Sequence, residues 1–194
     1  MHRRIHIGAG FLLMLSLVYF LDDSGMFTAL ALSAAVHELG HFIGIVAMGS
    51  KVTGLRLELT GAVINYNNTK VSYLGDAVVA LLGPLFGLIF AFLTAAASAY
   101  YEKLLLISGM SFCLSLLNLL PARNLDGGKI LVSLLSRLKS EDFAERIVIV
   151  SSCLTGFAML VLGTYILIVT RGNFTFLLVG IWLLLDFART SRNL

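Results

Sequence analysis

Long apolar runs separated by short polar stretches dominate this chain. They cover residues 5–21, 27–48, 75–100, 104–120, 147–170 and 174–188. A helix rising about 1.5 Å per residue needs roughly 20 apolar residues to cross a bilayer, so six membrane spans are predicted. Two interruptions have their own pattern. In "VTGLRLELTGAVINY", residues 52–66, Leu55, Leu57 and Leu59 alternate with Arg56 and Glu58, which is the period of a half-buried strand. Thr60-Gly61 then permits a turn into "AVINY", giving a β-hairpin between the second and third spans. In "NLLPARNLDGGKIL", residues 118–131, Pro121 ends the fourth span and Gly127-Gly128 allow a sharp turn before a new helix. The expected fold is an all-α polytopic membrane protein of about six transmembrane helices with one small hairpin. It forms a single transmembrane domain over 1–194, with no separate soluble domain.

Composition agrees with that class. The 194 residues are 58% hydrophobic and 13% charged, with mean hydropathy +0.93, more apolar surface than a soluble domain of this size can bury. Charge then orients the spans. With six crossings, one side holds both termini, residues 49–74 and residues 121–146. That side takes every Lys and Arg of the 14 except Lys103 and Arg171. The positive-inside rule places it, and the hairpin, in the cytoplasm of a multi-pass cell-membrane protein. The basic balance is thus a topology signal, and no nucleic-acid partner is implied. Arg3 and Arg4 precede the first run, and no small-residue cleavage site precedes Asp22-Asp23, so a retained anchor is expected. Cys113 and Cys153 read as small packing residues within spans.

One span carries chemistry. "AAVHELGHFIG", residues 34–44, sets His37 and His41 four apart, so both imidazoles share one helical face and can bind one ion. Glu38 fits the H-E-x-x-H arrangement, in which the glutamate takes a proton from water beside the metal. Burying such groups merely for packing is costly. Imidazole and carboxylate donors suit zinc, one per chain, and a catalytic site needs a third protein ligand. His2 and His6 lie at the N-terminal membrane edge, leaving Asp76, Asp126 and Asp186. Asp76 and Asp186 have adequate structural explanations. Asp126, on broken backbone at membrane depth, reads more readily as a ligand.

The pairing of "HELGH" with a later "NLLPxxxLDGG" resembles the site-2 protease family of intramembrane zinc metalloproteases. Asn118, Pro121, Leu125, Asp126, Gly127 and Gly128 match that family's second motif, while Asn124 stands where a second proline is usual. "LLGPLFG", residues 81–87, resembles its G-P segment. Six spans without a PDZ insertion are most similar to the bacterial branch that processes a sporulation sigma-factor precursor. The resemblance implies zinc held by His37, His41 and Asp126, Glu38 as catalytic base, and Asn118 contacting substrate or oxyanion. It also implies a membrane-spanning or membrane-tethered protein substrate, such as a transcription-factor precursor or anti-sigma factor, and membrane inhibitor or activator proteins. The lipid bilayer is the surrounding partner. Gly83, Pro84 and Gly87 are expected to shape helix packing.

Two other functions fit parts of the pattern. A membrane metal transporter can carry H-E-x-x-H on a helix, but needs a second ligand set for which no membrane histidine remains. A catalytically inactive membrane-binding homologue has no use for a costly buried base at Glu38.

Overall fold

The computed structural model describes residues 4–7, 16, 20, 22, 24–58, 61–66 and 72–191. Among them are three strands, β1 (Arg4–Ile7), β2 (Val52–Glu58) and β3 (Gly61–Tyr66). Six helices accompany them: α1 (Met26–Ala47), α2 (Tyr73–Ala97), α3 (Lys103–Asn118), α4 (Asp126–Leu138), α5 (Glu141–Thr170) and α6 (Thr175–Ser191). The chain divides into two compact units, Met1–Leu117 and Asn118–Leu194. Of the described helices, α1, α2 and α5 are long and apolar enough to cross a membrane, and α3 is a shorter apolar helix.

In the first unit, α1 starts at a cap supplied from outside the helix. The Asp22 carboxylate accepts the Phe27 N–H at 2.6 Å, the Met26 N–H at 3.3 Å and the Ser24 hydroxyl at 2.6 Å. These bonds, the Ser24 hydroxyl first and the Phe27 amide next, hold the Asp22 carboxyl below the usual carboxylate range. Along α1 the small and polar residues turn inward, with Ala29, Ser33, His37, Gly40 and Gly44 buried. Leu30, Leu39, Phe42 and Val46 are exposed. This inverts the soluble pattern and suits a helix surrounded by lipid, where close packing of small residues rather than water exclusion holds helices together.

α2 shows the same inversion. The Ser72 hydroxyl caps it by accepting the Gly75 N–H at 3.2 Å. Its Gly83, Pro84, Gly87 and Ala91 are buried, while Leu85, Ile89 and Phe92 are exposed. Backbones meet where α1 packs on α2: a Cβ at Gly40 would run into the Leu82 carbonyl. α3 adds a row of buried serines. The Ser111 hydroxyl donates to the Gly87 carbonyl and that of Ser108 to the Ala91 carbonyl, each at 2.8 Å. Interhelical bonds of this kind replace the hydrophobic driving force that lipid removes.

The strands form one sheet in the order β1-β2-β3. β2 and β3 pair antiparallel, with Leu55 opposite Ile64 and Leu57 opposite Ala62. β1 joins β2 in parallel, Ile5 beside Leu55 and Ile7 beside Leu57. This corrects the expected first span: Ile5–Ile7 lie in a strand, not a helix. "RIHI" alternates polar and β-branched residues, a two-residue period hidden by the apolar run that follows it. Most of the rest of that span lies outside the described residues.

In the second unit, α5 begins six residues before the predicted apolar run. The Ser140 hydroxyl accepts the Phe143 N–H at 3.3 Å, and Glu141 and Asp142 occupy the first turn, where negative charge suits the helix dipole. Its 30 residues span about 45 Å, more than the hydrocarbon core alone requires. α6 packs along it, with the Gly180 backbone close against Leu160 and Gly156.

Candidate metal centre

Two turns of α1 place His37 and His41 on its buried side. His37 is 4% exposed, and His41 is half-buried. The rings meet edge to face with centroids 4.8 Å apart, and the two Nε2 atoms lie 3.1 Å from each other. His41 Nδ1 lies 2.8 Å from the Val79 carbonyl on α2. A carbonyl only accepts, so Nδ1 carries the proton and Nε2 presents its lone pair toward His37. Tetrahedral zinc with nitrogen ligands at 2.0–2.1 Å sets them ~3.3 Å apart. The imidazole pair therefore fits a zinc ion in spacing, and His41 fits it in tautomer. Glu38, half-buried, follows His37 on the same helix.

A further residue shapes this pair. A Cβ built on Gly83 would run into the His41 ring at Cε1, Nε2 and Cδ2. Gly83 shapes the packing of α2 against α1, as expected, and what packs against it is the His41 ring. Gly83→Ala is expected to push the imidazole aside and weaken zinc retention about 10- to 100-fold, the usual cost of disturbing what orients a ligand. Gly109→Ala, where an added Cβ meets nothing within 4 Å, should leave retention unchanged. Zinc content after graded chelation compares the two. Parental retention in Gly83→Ala would remove this role.

Asp126 and Asn118 belong to the second unit. Asn118 is the last residue of α3, and Asp126 the first of α4. Asp126 is 2% exposed, and its Oδ1 accepts a charge-assisted bond from Lys129 Nζ at 2.9 Å. Between these two residues the chain folds tightly: the Ala122 N–H donates to the Leu120 carbonyl at 2.8 Å and the Leu125 N–H to the Ala122 carbonyl at 2.9 Å. The glycines work differently from the sequence expectation. Neither has positive φ, and both lie inside the first turn of α4. A side chain on Gly127 would strike the Leu119 and Leu120 carbonyls, and one on Gly128 the Ala122 carbonyl. They leave room for backbone to lie against backbone; the turn itself is made by residues 121–125. Of the other two carboxylates considered, Asp76 stands in the first turn of α2 and Asp186 lies in α6.

Comparison with known proteins shows what the chain resembles. Peptidase family M50 matches residues 94–163, a stretch that contains the Asp126 turn. A Synechocystis sp. protein provisionally named a zinc metalloprotease is 30% identical over 182 residues, covering 87% of this chain and 48% of that protein. A zinc metalloprotease of Methanocaldococcus jannaschii is 30% identical over 133 residues, covering 63% of this chain and 39% of that protein. The chain thus spans about half, or less, of the length of these curated relatives. The solved site-2 protease from Methanocaldococcus jannaschii superposes with a TM-score of 0.70 at 23% identity, over 95% of this chain and 89% of that one, and shows a shared fold. The chain is thus similar to peptidase family M50 over residues 94–163 and to two curated zinc metalloproteases, and shares the fold of the solved site-2 protease.

Proposed function

We propose that this protein is an intramembrane zinc endopeptidase that hydrolyses a peptide bond within or beside the membrane segment of a protein substrate. The observation that carries the reading is the imidazole pair of the H-E-x-x-H helix, with Nε2 atoms 3.1 Å apart and the His41 proton fixed on Nδ1 by Val79. In this reading His37, His41 and Asp126 hold the ion. Bound zinc supplies the Lewis acid that polarises the scissile carbonyl and offsets the charge developing on its oxygen. Glu38 takes the proton of the attacking water and returns it to the leaving amine. Val79 keeps the His41 lone pair aimed at the ligand site, Lys129 holds the Asp126 carboxylate, and Asn118 offers an amide to the substrate backbone.

The reading includes a multi-pass cell-membrane protein of about six spans, forming one membrane domain with both termini in the cytoplasm. The clustering of Lys and Arg in residues 49–74 and 121–146 supports that orientation. Substrates are single-span or membrane-tethered proteins, of which transcription-factor precursors and anti-sigma factors are the kind expected. The β2–β3 pair lies on the cytoplasmic side, where a strand edge can capture an unwound substrate segment.

The test is the position of the cut. The replenishing water is nearest on the cytoplasmic side, so scissile bonds should fall in the cytoplasmic half of a substrate span or just outside it. Gly, Asn or Pro near the cut should speed cleavage by weakening the substrate helix. Co-expression with candidate precursors, followed by mass spectrometry of the new termini, reads this directly. Cuts near the outer leaflet would overturn the orientation.

A further inference from the structure

We infer that two adjacent serines of α5, Ser151 and Ser152, are positioning residues for Asp126, acting through the turn that presents it. The inference rests on the reading of Asp126 as a zinc ligand. A break between helices leaves backbone groups without helical partners, and where the turn is buried water supplies none. Here α5 supplies two. The Ser151 hydroxyl donates to the Pro121 carbonyl at 2.7 Å. The Arg123 N–H donates to the Ser152 hydroxyl at 2.9 Å, and that hydroxyl in turn donates to the Val148 carbonyl at 2.6 Å. Ser152 is 4% exposed, so neither bond is readily replaced by water. Arg123 adds an ion pair to Glu145 of the same helix at 3.2 Å.

The grip is transmitted over a short, stiff path. Ala122, flanked by the two clamped groups, is fully buried. Its carbonyl accepts the Leu125 N–H and lies where a Gly128 side chain would be. The first turn of α4 is thus braced against a segment that is itself pinned to α5. Asp126 leads that turn, and a carboxylate ligand must be held to a fraction of an ångström to keep its metal. A single hydroxyl at position 152 satisfies both an inward N–H and its own helix, a task that valine cannot perform and threonine can.

The experiment uses the purified full chain loaded with zinc. It measures zinc retained against rising chelator, cleavage kinetics, and helicity and melting by circular dichroism. Ser152→Val is expected to lose zinc at about 10- to 100-fold lower chelator concentration and to lower kcat within the same range, with KM nearly unchanged. Ser152→Thr should restore both. Ser151→Ala, at a more accessible site, should shift retention in the same direction by less, which keeps the test open if Ser152→Val folds poorly. Thr155→Val, which removes another buried hydroxyl from α5, should retain zinc as the parent does; equal loss there would reduce the effect to packing and overturn the inference. Asp126→Ala is measured alongside. Parental retention in Ser152→Val with loss in Asp126→Ala overturns the clamp and leaves the ligand reading standing. Parental retention in Asp126→Ala overturns the ligand reading, and the clamp with it.

Discussion

In the proposed reaction, Glu38→Gln should lower the rate of peptide hydrolysis by roughly 100- to 10,000-fold, the contribution of a positioned general base, while zinc stays at one ion per chain. Glutamine matches glutamate in size and still hydrogen-bonds, so the half-buried position on α1 keeps its packing. What it lacks is a group that accepts a proton at neutral pH. The imidazoles that flank it are untouched: His41 remains fixed by Val79, and His37 remains on the buried side of the helix. Activity and metal content should therefore separate. Turnover of a cleaved precursor by the variant, set beside its zinc content by elemental analysis, decides the matter. Comparable turnover would strip Glu38 of its role. Loss of zinc together with activity would mean that the side chain supports the ligands instead. The same measurement also addresses an inactive homologue, in which the parent and the variant would be equally silent.

The imidazole pair was legible in the sequence because its geometry is local. Four residues along a helix bring His37 and His41 onto one face whatever surrounds them. The Asp126 turn was legible in part. Pro121 marks the end of α3, yet Gly127 and Gly128 invite a reading as flexible hinges. Their actual service is to let the Leu119, Leu120 and Ala122 carbonyls lie against the next helix. That is a contact between segments, and composition does not encode which backbone will approach. Gly83 is the same case at larger separation. Nothing in "LLGPLFG" announces that a histidine some forty residues earlier rests on it. The N-terminal strand was lost for a different reason. Four alternating residues, Arg4 to Ile7, are outweighed by the apolar run behind them, and a strand that pairs with residues fifty positions away declares itself only through its partner. Ser151 and Ser152 were invisible because serine in an apolar helix ordinarily bonds back to its own carbonyl, as Ser152 also does.

On the proposed ligand set, Asp126→Ala should cost both zinc and activity, since only two protein ligands would then remain where a catalytic zinc site takes three. The difficulty is to distinguish a lost ligand from a damaged fold, because Asp126 is 2% exposed and pairs with Lys129. The exposure of the partner resolves it. The Lys129 side chain is 58% exposed, so on losing the carboxylate its ammonium returns to water and leaves no buried, unpaired charge. The turn keeps its own supports, with the Pro121 carbonyl and Arg123 N–H still bonded to α5. Helicity and melting should therefore change little while bound zinc falls well below one per chain. Asp126→Asn sharpens the comparison, because it preserves shape and hydrogen bonding but removes the negative charge that holds a divalent ion; it too should lose zinc. Asp76→Ala, a change at the first turn of α2, should keep it. Full zinc retention by both Asp126 variants, measured after dialysis against chelator, would move the third ligand elsewhere in the chain.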